Sequence, residues 1–145
     1  MAKKTVSINA SMNQTYQVQT SVGGKISYID QPENAGGSNA GPTPLETLMF
    51  ALAGCICHIA RIVAHQRKIN LHGMEVRVEG DLDTDFLMGK TKQGRAGFNS
   101  IRLFVKIDAD LSSEQKQEFL DEVDSRCPVS ESLLNATSVQ VALEK

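Results

Sequence analysis

Three cysteines are the residues of this chain whose type and position could carry chemistry. Cys55 and Cys57 lie two positions apart in the segment AGCICHIA, and Cys127 lies much later, in SRCPVS. Such thiols can pack as small apolar side chains, ligate a metal or act as nucleophiles. Which of these roles applies depends on the elements that hold them.

Cys127 directly precedes Pro128, and proline is best tolerated in the first turn of a helix. The segment CPVSESLLNA therefore predicts a short helix that begins beside Cys127 and closes at Asn135. Unpaired N–H groups and the positive end of the helix dipole favour a thiolate at such a position. A small buried residue at a helix start is the alternative, and position alone leaves both open.

Cys55 and Cys57 lie within a predicted helix from Pro44 to about Lys68. Burial in the middle of a helix raises the pKa of a thiol unless a cation or another helix start offsets it, so Cys55 alone is typical of a core residue. The two cysteines are about 200° apart around the helix, and a disulfide between them would require unwinding. If two of the three cysteines form a disulfide, we expect one helix cysteine to pair with Cys127.

A metal site made by Cys55, His58 and Cys127 is a further alternative, because His58 lies three residues after Cys55 on the same helix face. The chain lacks the C-x-x-C and H-x-x-x-H spacings of common zinc sites. We therefore expect no metal, and nothing in the sequence implies flavin or haem.

Two charged residues are candidates for supporting the thiols. Glu46 follows Thr43 and Pro44 at the start of the long helix, where it can complete a capping box or act as a buried acid that tunes a thiol. The capping box explains its position fully. Arg126 could stabilise a thiolate at Cys127 or complement the carboxyl end of the preceding helix.

Composition excludes several classes of function. The chain has 145 residues, a net charge of −2, no basic block and few aromatic residues, which predicts one domain over residues 1–145 and no nucleic-acid partner. Its first residues, MAKKTVSINA, contain no apolar signal region, so we expect a cytoplasmic protein with reduced thiols. The charge-free apolar run from Leu48 to Ala60 is shorter than the roughly 18 to 20 residues that span a bilayer, which favours a core helix and no membrane.

The remaining patterns predict an α+β domain. Around the two Cys-bearing helices the predicted elements are the strands TVSINA, YQVQTSV, KISYID, MEVRVEGDL, SIRLFVKID and TSVQVAL, and the helix DLSSEQKQEFLDEVDSR. Gly23-Gly24 predicts a tight turn between the second and third strands. The loop QPENAGGSNAGPTP is either a binding or covering loop or a mobile connector, and DTDFLMGKTKQGRAGF is either a hairpin tip packed on a partner or an apolar lid.

Two motifs together resemble a known family. GPTPLETLMFALAGC, followed much later by RCPVSESL, resembles the OsmC/Ohr family of osmotically inducible and organic hydroperoxide resistance proteins, and is closer to its less-characterised OsmC-like branch. The resemblance covers nearly the whole chain, in the family's order of elements. It implies an α+β fold with antiparallel sheets around long central helices, in an intertwined homodimer with its sites at the interface.

The resemblance also implies an activity. The cysteine matching Cys55 is the peroxidatic thiol that attacks an organic hydroperoxide, the one matching Cys127 resolves the sulfenic acid as a disulfide, and Cys57 is a bystander. The implied reductant is a dithiol, such as a lipoyl group on a carrier enzyme, and the implied setting is oxidative or osmotic stress. Apolar walls from Leu48, Phe50 and residues 86–88 would favour alkyl or lipid hydroperoxides.

This sequence departs from the family's peroxidases at two positions. They pair the reactive cysteine with an amino-terminal arginine and with a glutamate directly after the motif proline. Here no arginine precedes Arg61, Leu45 follows Pro44, and Glu46 lies about 100° further around the helix. These differences keep one alternative open, a binding module without turnover that holds a small apolar or electrophilic ligand at the thiol pocket.

Overall fold

The computed structural model describes residues 2–144, which divide after Phe50 into two compact units. In this part of the chain, five strands, four α-helices and a single 3-10 turn at Glu33–Ala35 form an α+β structure with antiparallel sheets and one long helix, as the sequence predicts. The elements are β1 (Asn9–Met12), β2 (Val18–Val22), β3 (Lys25–Ile29), α1 (Pro44–Arg67), β4 (Leu71–Leu82), α2 (Thr84–Leu87), β5 (Phe98–Ala109), α3 (Ser113–Ser125) and α4 (Pro128–Leu134). The boundary between the two units falls within helix α1.

The first unit is built on the antiparallel sheet β1-β2-β3. The predicted turn is confirmed: Gly23 and Gly24 have φ values of 54° and 75°, the left-handed region that glycine enters without steric cost. The predicted first strand, over residues 5–10, is wrong in position. It begins at Asn9 opposite Ser21, and because β2 ends one residue later, residues 5–8 have almost no β2 backbone left to pair with.

The loop after β3 is organised around Asp30, whose side chain is only 1% exposed. Its carboxylate accepts hydrogen bonds from the N–H of Gln31 (2.7 Å), the hydroxyl and N–H of Ser38 (2.7 and 3.3 Å) and the N–H of Ala40 (3.1 Å). These bonds tie both ends of the loop to the end of β3. These contacts give the loop a defined conformation, and its two interpretations, a binding or covering loop and a mobile connector, both stay predictions.

Two glycines allow this loop to lie against the preceding backbone. A Cβ at Gly41 would lie 2.0 Å from the carbonyl oxygen of Tyr28, and one at Gly37 would lie 1.9 Å from that of Gln31. Neither separation is possible for real atoms, so any other residue would displace the loop. Gly37 and Gly41 thus have a packing explanation that the sequence alone did not provide.

The Asp30 contacts predict that the stability of the fold falls at acidic pH. The Ser38 hydroxyl, assisted by the backbone N–H groups of Ala40, Gln31 and Ser38 and opposed by burial, holds the pKa of Asp30 below its ordinary value of 3.8. Because this pKa is lower in the folded state, the stabilisation is complete above the unfolded-state pKa and is lost as pH falls through the folded-state pKa. We expect Asp30→Asn to lower the thermal midpoint at pH 7, and this deficit to shrink below about pH 4.

Thermal unfolding of both proteins between pH 7 and pH 2.5 checks this expectation. Glu118→Gln, which neutralises an exposed carboxylate without a recorded hydrogen bond, is the matched control and should unfold like the wild type at pH 7. An Asp30→Asn deficit that is the same at every pH would contradict the charged role of Asp30.

Helix α1 begins as its sequence predicts. The N–H of Thr43 donates to Glu46 Oε2 at 2.8 Å, and the N–H of Glu46 donates to Thr43 Oγ1 at 3.3 Å, which together form the capping box. The helix extends for 24 residues and ends at Arg67, where Lys68 adopts a left-handed conformation with φ 55°. The predicted bounds are therefore confirmed.

By length and composition alone, α1 could cross a membrane. The expectation that it is too short considered only its charge-free run, whereas the helix has an 18-residue window that is apolar enough, of which 28% is buried within this chain. Core helices of water-soluble proteins pass the same test. The absence of a membrane role stays a prediction.

The second unit has one hydrophobic core. It lies between α1, α3, the start of α4 and the inner face of the antiparallel β4–β5 hairpin. The buried members are Ile56, Ala60, Val63, Ala64, Leu71, Phe119, Val123 and Cys127, and Cys55 is among the partly buried residues that pack against them. Cys127 therefore belongs to the core of this unit, and Cys55 packs against that core.

Two predicted segments differ in the structure. Residues 136–144 form no strand, and the side chains of Val139, Val141 and Leu143 are 81%, 95% and 93% exposed, since no strand of the described chain lies beside them. The loop between β4 and β5 contains α2, and Leu87 at the end of α2 and Met88 directly after it are exposed. Both interpretations of that loop, a tip packed on a partner and an apolar lid, therefore stay predictions.

Candidate thiol site

The candidate site is a pair of cysteine sulfurs contributed by α1 and by the residue before α4. Cys127 Sγ donates a hydrogen bond to Cys55 Sγ across 2.9 Å, and both cysteines are free thiols. A disulfide bond is about 2.05 Å long, so the sulfurs are close but not bonded. Cys127 thus lies beside one of the helix cysteines, as the expected disulfide pairing requires, and that cysteine is Cys55. The disulfide itself stays a prediction.

Helix α1 places Cys55 at the edge of its buried face. Ile56 and Ala60 point into the core, while Cys55 and Ile59 pack against that core from the side and stay partly exposed. Helical periodicity produces this arrangement, because residues three and four apart share a face. Cys55 is thus fixed by packing and still accessible from outside this chain.

The junction between α3 and α4 places Cys127. A capping box between Ser112 and Gln115 starts α3, and Pro128 occupies the first turn of α4, as the sequence predicts. Cys127 is the N-cap of α4: its N–H donates to the carbonyl of Asp124 at 3.1 Å, and its sulfur accepts from the N–H of Ser130 at 3.4 Å. The residue is completely buried.

Burial, and not the helix start, decides the charge state of Cys127. Burial raises the pKa of this thiol above its ordinary value of 9.0, and the hydrogen bond to Cys55 raises it further. Hydrogen bonds from the N–H groups of Ser130 and Val129 lower the pKa of Cys127, but by less than the other contributions raise it. Of the two interpretations that position left open, the structure favours the small buried residue at a helix start, because desolvation outweighs the N–H groups that would favour a thiolate.

Ser130 and Asp124 complete the surroundings of Cys127. The Ser130 side chain is 9% exposed, and its hydroxyl donates to Asp124 Oδ1 at 2.7 Å. Sequence reasoning did not identify either residue. One local signal was present, since Ser130 stands at the third position of α4, where its N–H faces the N-cap side chain.

The two charged candidates have other partners in this chain. Arg126 donates to Glu122 Oε1 at 3.2 Å, and Arg67 of α1 pairs with Glu122 Oε2 at 3.0 Å, so Glu122 links the ends of α1 and α3. These contacts are largely exposed and contribute at most about 1 kcal/mol each. Glu46 is in the capping box described above. Roles for Arg126 and Glu46 at the thiols stay predictions.

Among the described residues, Cys55, His58 and Cys127 do not form a group of three metal ligands. Within residues 2–144 no group of three or more His, Cys, Asp or Glu side chains could hold a metal ion. His58 is exposed on α1, and Cys57, two residues from Cys55, is partly buried away from the sulfur pair. The arrangement therefore favours sulfur chemistry between Cys55 and Cys127.

One family model matches most of the chain. Residues 36–142 match the model of the OsmC-like protein family, so the chain belongs to that family. This range contains the capped helix α1, both cysteines of the pair and the hairpin on which they pack. The resemblance noted in the motifs around Cys55 and Cys127 is confirmed.

Solved structures share the fold. An OsmC-like protein from Mycoplasma pneumoniae is 24% identical with a TM-score of 0.81, covering 93% of this chain and 91% of its own. An organic hydroperoxide resistance protein OsmC from Legionella pneumophila is 21% identical with a TM-score of 0.67, covering 92% and 91%. These identities show the fold, and some of the neighbours carry hydroperoxide resistance names.

Curated relatives match over part of their length. A hydroperoxide reductase of Mycoplasma pneumoniae is 26% identical over 98 residues, which is 68% of this chain and 66% of that protein. An uncharacterised protein of Methanocaldococcus jannaschii is 29% identical over 102 residues, which is 70% of this chain and 50% of that protein. The chain thus spans half to two thirds of these relatives.

Proposed function

We propose that this protein reduces organic hydroperoxides with Cys55 as the peroxidatic and Cys127 as the resolving cysteine. The observation that carries the proposal is the 2.9 Å separation of the two sulfurs, which joins two cysteines far apart in the chain. The difference in burial fits the two roles, since the attacking sulfur must meet a substrate and the resolving sulfur need meet only Cys55. Membership of the OsmC-like family adds support.

The protonation of Cys127 supports the same assignment. Burial raises the pKa of the Cys127 thiol and so keeps the proton on that sulfur. Because the thiolate is the nucleophile in thiol chemistry, Cys127 is poorly suited to attack first, and Cys55 is the proposed attacking sulfur.

The reaction proceeds in three steps: attack on the peroxide, disulfide formation and reduction by a dithiol. The Cys55 thiolate attacks one peroxide oxygen, an S–O bond forms, the O–O bond breaks, and the alkoxide leaves as the alcohol after taking a proton. Cys127 then attacks the Cys55 sulfenic acid, so that an S–S bond forms and hydroxide leaves with the thiol proton as water. A dithiol reductant returns both cysteines to thiols and becomes a disulfide itself.

A second copy of the chain is the proposed partner. Alternating apolar side chains at both ends of the chain are exposed: Val6, Ile8, Val139 and Val141 are 76%, 58%, 81% and 95% exposed. Such segments gain strand hydrogen bonds and burial when another chain lies beside them. We propose a cytoplasmic homodimer that acts in oxidative or osmotic stress and whose electron donor is a dithiol, with the lipoyl group as the first candidate.

A binding module without turnover is the second candidate function. One observation favours it: among the hydrogen bonds of the described residues, no Lys or Arg side chain donates to either sulfur. A nearby cation is the usual means of lowering the pKa of a reactive thiol. In a related fold, captopril is bound in one of the active sites of a putative organic hydroperoxide resistance protein from Vibrio cholerae.

Turnover distinguishes the two functions. Fully reduced protein is mixed with cumene hydroperoxide, linked peptides are mapped by non-reducing mass spectrometry, and peroxide consumption is followed with excess dithiol. The enzyme should form a Cys55–Cys127 disulfide within one turnover and consume many equivalents of peroxide, and it should prefer cumene hydroperoxide to hydrogen peroxide. Slow oxidation spread over all three cysteines, without repeated turnover, would instead support the binding module.

A further inference from the structure

Three hydrogen bonds form a closed ring around Cys127. The Cys127 N–H donates to the Asp124 carbonyl (3.1 Å), the Ser130 N–H donates to Cys127 Sγ (3.4 Å), and the Ser130 hydroxyl donates to Asp124 Oδ1 (2.7 Å). Asp124 thus holds both the backbone of Cys127 and the first turn of α4. These three bonds together fix the position of the Cys127 sulfur relative to α3 and α4.

The sulfur of Cys127 is a weak helix cap. Ser, Thr, Asp and Asn are the residues that cap helices well, whereas a thiol is a poor acceptor, and its contact here is long at 3.4 Å. Helix α4 has only seven residues, so it has few internal hydrogen bonds to define its start. The Ser130–Asp124 hydrogen bond holds the first turn of α4 in place, which the weak cysteine cap alone cannot do.

We propose that Asp124 and Ser130 are positioning residues that hold Cys127 for disulfide formation with Cys55. Ser130 anchors the first turn of α4 to Asp124, and that turn carries the N–H group that orients the Cys127 sulfur. Neither residue contacts the substrate in this mechanism. The proposal rests on the proposed function, because it assigns the pair to the second step of the peroxidase cycle.

The affected step is the attack of Cys127 on the Cys55 sulfenic acid. The S–S bond forms, the S–O bond breaks, and the hydroxyl leaves as water with the proton of Cys127. This attack requires the two sulfurs to be aligned, and a misplacement of about 1 Å can slow an aligned reaction about a hundredfold. The first step, attack of Cys55 on peroxide, does not involve Cys127 and should be unaffected.

Single-turnover kinetics separate the two steps. With cumene hydroperoxide, a sulfenic-acid trap reports the first step and quenched alkylation reports the disulfide. We expect Ser130→Ala and Asp124→Ala to slow disulfide formation between about tenfold and a hundredfold while the sulfenic-acid rate stays unchanged. Asp124→Asn retains an acceptor oxygen for the Ser130 hydroxyl and should restore the wild-type rate.

Ser132→Ala is the matched control. Ser132 lies on the same short helix, and its hydroxyl donates to the carbonyl of Pro128 at 2.7 Å, so its removal also deletes one hydrogen bond of α4. The control should form the disulfide at the wild-type rate. If Ser132→Ala slowed this step as much as Ser130→Ala, or if Ser130→Ala had no effect, the positioning role would be overturned.

A second measurement keeps the inference testable if the protein does not reduce peroxides. The equilibrium between the reduced pair and the Cys55–Cys127 disulfide is measured in glutathione buffers, which requires no peroxidase activity. Poorer alignment lowers the effective concentration of the two thiols, so Ser130→Ala should shift this equilibrium toward the reduced form about tenfold or more. An unshifted equilibrium, or a wild-type protein that forms no such disulfide, would refute the positioning role, while absence of a sulfenic acid would refute only the peroxidase.

Discussion

Cys55→Ser should abolish peroxide consumption, whereas Cys57→Ser should leave it within about twofold of wild type. A serine hydroxyl is not ionised near neutral pH and cannot replace the thiolate that attacks the O–O bond. Cys57 provides the control because it lies two positions away on α1 but outside the sulfur pair. Consumption of cumene hydroperoxide with excess dithiol measures the effect, and comparable activity of Cys55→Ser and wild type would contradict the assignment.

Cys127→Ser should separate the first step from the second. The variant retains Cys55, so it should consume about one equivalent of peroxide and accumulate a sulfenic acid that cannot form the internal disulfide. Further peroxide should convert Cys55 to sulfinic acid, which intact mass spectrometry detects as two added oxygens. A stable thiol at Cys55 under these conditions would show that Cys55 is not the oxidised residue.

Local sequence signals predicted the helices well. Thr43-Pro44 with Glu46, and Ser112 with Gln115, specify helix starts through contacts only three residues apart, and both capping boxes are present. The alternating hairpin strands β4 and β5 were predicted for a similar reason, since each strand carries its own period of two. Elements specified by their own residues can be recognised before the fold is known.

Elements that depend on distant partners were harder to predict. The segment TSVQVAL alternates like a strand, but a strand also needs a neighbour, and the described chain supplies none. The role of Asp30 also depends on distant residues. The hydrogen bonds that satisfy its buried carboxylate come from Ser38 and Ala40, which only the folded loop brings close. Composition does not specify such contacts.

The thiol site also combines features that local sequence predicts with features that depend on distant residues. The helix start at Cys127 was predicted from Pro128, yet its position left open whether the thiol is ionised, because that depends on burial by the whole core. Which helix cysteine meets Cys127 was left open by the residues and resolved only by the resemblance. The Asp124–Ser130 bond spans the end of one helix and the start of the next, so no single-element pattern contained it.

Phe119→Ala should lower the free energy of unfolding by about 3–5 kcal/mol, because it removes a large buried ring from the centre of the second unit. Phe119 is fully buried on α3 and belongs to the same hydrophobic cluster as Cys127. Urea unfolding at fixed protein concentration measures the change, since association between copies would otherwise alter the apparent stability.

Phe104→Ala is the control for this substitution. Phe104 is 46% exposed on β5, with the Arg77 guanidinium 4.1 Å from its ring centroid, so its removal should cost no more than about 1 kcal/mol. Equal losses in the two variants would contradict the placement of the core.

The core and the thiol pair are coupled, which gives Phe119 a second readout. Phe119 and Val123 on α3 form part of the surface on which Cys127 is buried, so a cavity at Phe119 should also loosen the approach of Cys127 to Cys55. If Phe119→Ala is too unstable to purify, Phe119→Leu retains most of the volume and should cost less than about 1.5 kcal/mol. We expect Phe119→Leu to slow formation of the Cys55–Cys127 disulfide while Phe104→Ala does not. Unchanged disulfide formation in a measurably destabilised Phe119 variant would show that the α3–α4 junction alone positions Cys127.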